Sequence, residues 1–133
     1  MKYLLDTNVC ITFFGQRNSR LNQRLALVAT QDKAICSVVK AELFYGAYKS
    51  QKQQASLARI SAFASHLVSL PFDDAAAQSY GEIRAELERR GTPIGHHDLQ
   101  IAAIALAHNL ILVTHNTREF SRVPKLLIED WEI

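Results

Sequence analysis

Residues 3–8, "YLLDTN", put a carboxylate directly behind a short apolar run. Tyr3, Leu4 and Leu5 lack polar alternation, the pattern of a strand buried on both faces. Thr7 and Asn8 then offer helix-start chemistry ahead of Val9, Cys10, Ile11 and Phe13. Asp6 therefore falls at the C-terminal tip of a strand, the edge at which open α/β sheets bind ligands. Taken alone, the same aspartate also suits a helix cap or an Asx turn.

Outward from this stretch, strand patterns occupy 2–5, 34–36, 67–70, 111–114 and 126–128. Helical patterns lie between them at 8–14, 19–30, 38–48, 53–65, 74–90 and 96–108. Strands alternating with helices imply an α/β fold, a three-layer α/β/α sandwich around a mostly parallel sheet of about five strands. One domain spanning residues 1–133 is expected, because a chain of this length buries one core. Asp73 and Asp74 suit the start of one helix and Arg89 and Arg90 its end, with Gly91 as the stop. Ser37 is the candidate cap for the helix over 38–48.

No apolar stretch approaches the roughly 18 residues of a membrane span, and the N-terminus lacks a signal peptide's basic start. A cytoplasmic protein without membrane contact is the expectation. Cys10 and Cys36 belong to no metal-binding spacing and read as buried reduced thiols. Charge is divided along the chain. Residues 1–60 carry nine Lys and Arg against Asp6, Asp32 and Glu42, a net +6, whereas residues 61–133 carry a net −4. Such a basic half suits a surface that meets a polyanion, although solvated helix faces give the same bias.

Three further stretches answer Asp6. Glu42 stands among Val38, Val39, Ala41 and Leu43 in "SVVKAELFYG". There it either points outward beside Lys40 or needs a partner that offsets its desolvation. Asp98 opens the almost wholly apolar helix of "HHDLQIAAIALA", at a mouth of the core, where capping is the plainer role. In "LILVTHNTREF" a buried strand again ends in polar residues, Thr114, His115, Asn116 and Thr117. If the two strands are neighbours, Asp6 and Asn116 occupy equivalent tips and the acids converge on one cleft. Carboxylates gathered in this way raise one another's pKa unless a cation neutralises them. Oxygen ligands favour Mg²⁺ or Mn²⁺ over zinc. His96 and His97 diverge by roughly 100° on a helix, so "HHD" is a poor transition-metal site.

In order and spacing, "YLLDTN", "SVVKAELFYG", "GTPIGHHDLQIAAIAL" and "LVTHNTREF…VPKLLIEDW" resemble the PIN-domain ribonucleases, specifically the VapC toxins of bacterial toxin–antitoxin pairs. The resemblance covers essentially the whole chain. It implies a Mg²⁺-dependent endoribonuclease that cleaves structured RNA, commonly tRNA, by metal-activated water. Asp6, Glu42 and Asp98 match the acidic residues that hold the metal, with Thr7 and Thr114 as donors that orient them. Asn116 stands where many PIN domains carry a fourth aspartate, so a second metal is expected to bind more weakly. Glu119 either compensates from Asn116's helical face or pairs with Arg118 or Arg122. The resemblance also implies a VapB-type antitoxin, a homodimer, and operator DNA bound through the antitoxin.

RNA phosphates are expected over Arg17, Arg20, Arg24, Lys49 and Lys52. Phe14 and Tyr45 can stack on an unpaired base, with core packing as their expected role. An aspartyl-phosphate phosphatase would need an acid where Asn8 stands, and no glycine-rich turn supports a dinucleotide module. The remaining alternative is a catalytically weak or inactive PIN-like module that binds RNA or antitoxin.

Overall fold

The computed structural model describes residues 1–133. Strand β1 (Tyr3–Leu5) is followed by α1 (Thr7–Phe14) and α2 (Ser19–Leu27), and after a 3₁₀ turn by β2 (Lys33–Cys36). Helices α3 (Ser37–Lys49) and α4 (Gln53–Ala64) lead to β3 (Val68–Leu70). Then come α5 (Asp74–Arg89), α6 (His96–Ala107), β4 (Ile111–Val113), the short α7 (Thr117–Phe120) and β5 (Ile128–Glu129).

The five strands form one sheet in the order β3-β2-β1-β4-β5, and every neighbouring pair is parallel. The expected mostly parallel sheet is thus wholly parallel. Right-handed crossovers put the helices linking β1, β2 and β3 on one face and those leading to β4 and β5 on the other. The direction of winding reverses between β1 and β4. At that switch point the strand ends leave a crevice, and Leu5 is in register with Val113 at its base.

Burial explains the apolar runs. All of β1 is buried, as are Leu99 and Ile101–Ala105 of α6, which is covered on nearly every side. Helix α5 instead buries Ala76, Ile83 and Leu87 and turns Arg84–Glu88 and Glu86–Arg90 pairs outward. Lys33, at the start of β2, is also buried. Its ammonium donates to the Leu25 carbonyl at 2.7 Å, filling an acceptor that α2 leaves open at its end. Burial pushes both cysteine thiols up, Cys36 to about 11, so neither is a thiolate near neutral pH.

One helix start takes the cap that its sequence also allowed, and one differs from expectation. Asp6 itself caps α1, its Oδ1 accepting from the Thr7 amide at 2.8 Å, because the helix begins one residue before Asn8. Ser37 is already the first residue of α3, and Cys36 occupies the cap without a side-chain hydrogen bond. Asp73 does cap α5, accepting from the Ala76 amide at 2.9 Å, and Gly91 beyond it takes φ +70°, open to glycine at no steric cost.

Candidate metal centre and active site

Asp6 and Thr114 leave β1 and β4 side by side at the switch point. Asp6 is only 3% exposed. Its Oδ2 accepts from the buried Thr114 hydroxyl at 2.9 Å, so the two strand tips are tied across 108 residues of sequence. The Thr114 oxygen in turn accepts from the Asn116 amide at 3.0 Å, which bends the chain into α7. On the other side the Thr7 hydroxyl donates to Glu42 Oε1 at 2.9 Å and draws the α3 acid toward the crevice.

The ring closes through α7. Asn116 Nδ2 donates to Glu119 Oε2 at 2.8 Å, and the Glu119 carboxyl is near enough to Asp98, in the first turn of α6, to help raise its pKa. Asp6, Glu42, Asp98 and Glu119 thus face one cleft, and Asn116 holds Glu119 in it. Glu119 pairs with neither Arg118 nor Arg122. No lysine or arginine is paired with any of the four acids. The one basic side chain within 4 Å of them is the imidazole of His97, whose Nδ1 lies 3.9 Å from Glu42 Oε2. Three ligand atoms do not come within 4.8 Å of one another here; the group that does is His115, Asp130 and Glu132 farther out.

Electrostatics follow from this crowding. Burial, and then the charges of Asp6, Glu119 and Glu42, push the Asp98 carboxyl up to about 6. Asp6 is raised as well, chiefly by burial, with the hydrogen bonds from Thr114 and Thr7 opposing it. Without a cation the cleft therefore retains a proton near Asp98 in mildly acidic solution. A Thr114→Val variant keeps the shape but removes the donor to Asp6 and the acceptor for Asn116. The Asp6 carboxyl is then expected to rise further in pKa, as read by NMR titration, because a hydrogen bond that lowers it is lost.

The other expected residues separate. Arg17, Arg59 and Glu42 line one pocket of about 320 Å³, and neither arginine is ion-paired. Arg24 is engaged elsewhere, 3.4 Å from Glu129 and 5.0 Å from the Trp131 ring. Lys49 lies 5.6 Å from the Tyr45 ring, while Arg20 and Lys52 are exposed. Tyr45 is not in the core, contrary to expectation. It is 66% exposed, because α3 buries Val39, Leu43 and Ala47 on the opposite side. Phe14 does pack, against Phe13 and Phe63. Sequence alone does not place the Arg59 pocket or the approach of Glu119 to Asp98, whereas the alternative in which Glu119 joins Asn116 is the one the structure adopts. Only the net +6 of residues 1–60 and the three-residue spacing of Asn116 and Glu119 hinted at them.

A wholly parallel sheet with acids gathered at its switch point defines the PIN-domain nuclease class, and the PIN domain family matches residues 3–126. The chain belongs to the VapC toxin ribonucleases within that class. It is 46% identical over 132 residues to the tRNA(fMet)-specific endonuclease VapC of Shigella flexneri, covering 98% of each chain. DNA-bound VapBC from Salmonella typhimurium superimposes with a TM-score of 0.93 at 43% identity, again over 98% of each chain. VapBC2 of Rickettsia felis, bound to a promoter DNA fragment, gives a TM-score of 0.91 at 40% identity, covering 98% of this chain and 99% of that one.

Proposed function

We propose that this VapC ribonuclease is a Mg²⁺-dependent endonuclease of structured RNA, tRNA before all others, acting from residues 1–133 as a single PIN domain. The observation that carries the reading is the cleft of four acids without a lysine or arginine partner. Its oxygen donors and uncompensated charge fit Mg²⁺, with Mn²⁺ as a substitute. Asp6 and Asp98 would hold the ion, with Glu42 as a ligand directly or through water. When bound, the metal lowers the pKa of an attacking water and offsets charge developing on the phosphate.

The chain's own groups prepare that chemistry. Thr114 and the Thr7 amide fix both oxygens of Asp6, so one carboxylate orientation is held before substrate arrives. Thr7 does the same for Glu42. Asn116 contributes an amide that restrains Glu119 and adds no negative charge, so one tight metal site and one weaker site are expected by calorimetric titration. Because the proton held near Asp98 must leave first, Mg²⁺ affinity falls as pH drops below about 6. The same titration repeated across pH checks this.

RNA phosphates would run over Arg17 and Arg59 beside Glu42, with Arg20, Lys49 and Lys52 farther along. Arg17→Ala is expected to reduce the slope of log Kd against log salt by about one phosphate contact without changing the cleavage site. A VapB-type antitoxin, a homodimer and operator DNA bound through the antitoxin complete the reading, in line with the VapBC complexes on DNA to which the chain is similar. The test is incubation of purified antitoxin-free chain with tRNA and ribosomal RNA, with Mg²⁺ or EDTA. Discrete Mg²⁺-dependent fragments are the expected result. Intact RNA with a folded, metal-loaded chain would leave an RNA-binding module instead.

A further inference from the structure

Beside the acids, between α1, α3 and the start of α6, lies a second cavity of about 700 Å³. It shares Thr7 and Glu42 with the acidic cleft, so a ligand group filling it is next to whatever the acids hold. Its polar walls are the amides of Asn8 and Gln100 and the imidazole of His97, and its rim is Tyr45. Gln100 is the polar interruption in the otherwise apolar run that follows Asp98. Amides offer paired donor and acceptor edges, and an exposed aromatic ring offers a stacking face.

Gly46 strengthens the case. It sits in the middle of α3, where glycine weakens a helix, yet a Cβ there would meet nothing within 4 Å. It lines both this cavity and the Arg17–Arg59 pocket, so its missing side chain keeps the saddle between them open. Lys49, near the Tyr45 ring and without a carboxylate partner, supplies positive charge at the rim.

We propose that this cavity seats one unpaired base of the RNA beside the scissile phosphate, with Tyr45 stacking on the base and Gln100 and Asn8 reading its edge. The inference rests on the ribonuclease reading. A phosphate at the acids carries its own and the neighbouring base within reach of this cavity, whose walls offer both amides and an exposed ring. The occupant is a nucleotide because the cavity shares Thr7 and Glu42 with the acidic cleft, sets the amides of Asn8 and Gln100 among apolar walls, and adjoins at Gly46 the pocket that holds Arg17 and Arg59, a combination that a second copy's apolar surface does not call for.

The test uses the full chain in an Asp98→Asn background, which leaves the RNA uncut, and RNA hairpins carrying 2-aminopurine at one loop position at a time. Binding is expected to quench the probe at one position. Tyr45→Ala should remove that quench and weaken binding about 10- to 100-fold, the scale of losing one base–aromatic stack, whereas Tyr45→Phe should retain both. The proposal is overturned if no loop position is quenched, or if Tyr45→Ala quenches like its parent. It is overturned too if Tyr45→Ala changes only the sedimentation of the protein, which makes the surface a contact between copies. Failure of the parent reading appears separately: the unsubstituted chain with Mg²⁺ would leave the same hairpins intact while the position-specific quench persisted.

Discussion

On the proposal that Asp98 holds the metal, Asp98→Asn is expected to lower kcat/KM for RNA cleavage by roughly 10³-fold or more, because a metal ligand supplies several kcal/mol of transition-state stabilisation. The same variant should be more stable than its parent in EDTA at pH 7.5. Asp98 titrates at about 6 in the folded chain against an ordinary 3.8, so between those values the folded state holds a proton that the unfolded chain has lost. Stability therefore declines as pH rises through that window, and the penalty is fully present above it. Asparagine removes the penalty. Scaled down for the solvent that reaches Asp98, the gain is about 1 kcal/mol, or a Tm higher by ~4 °C. Thermal melts at pH 7.5 and pH 4 check the sign, because the advantage should shrink toward the lower pH. A variant that lost activity and stability together would mean that Asp98 serves chiefly to hold α6 in position.

Phe120→Ala should have the largest effect on folding. Phe120 is 0% exposed and is the one buried residue of α7, so its removal leaves a cavity with little chance to collapse. A loss of about 3–5 kcal/mol is expected, a large part of a typical domain's stability of roughly 5–15 kcal/mol. Urea denaturation measures it, and Phe120→Leu should cost less than half as much. Activity should fall under conditions where the variant is still folded. Helix α7 is held to the core by this ring, and the half-buried Asn116 at its cap and Glu119 within it stand beside Asp98.

Strands β1, β2 and β4 were legible as short, largely apolar runs, the pattern a buried parallel strand leaves. The edge strands are partly exposed, and β5 overlaps the expected 126–128 only at Ile128. Asp6, Glu42, Asp98 and Asn116 were legible as chemical anomalies, polar groups at strand tips or within apolar helices. Helix α3 was less so. Val38, Ala41, Leu43, Phe44, Tyr45 and Tyr48 distribute apolar groups around the whole helix, so its buried side was ambiguous until Val39, Leu43 and Ala47 met the core. The four-residue α7 carries too few positions for a helical period, so only the spacing of Asn116 and Glu119 pointed to it.

By itself, the sequence determined the alternation of strands and helices and the order of the acids, because both arise from local runs and spacings. What tertiary structure decided is which acids meet. The Asp6–Thr114 bond, the Thr7–Glu42 bond and the Asn116–Glu119–Asp98 link join strand tips and helix starts, most of them far apart in the chain. They form because β1 and β4 are neighbours at the point where the winding of the sheet reverses. The raised pKa of Asp98 belongs to the same level of structure, since burial and neighbouring charge do not exist until the chain has closed around the cleft.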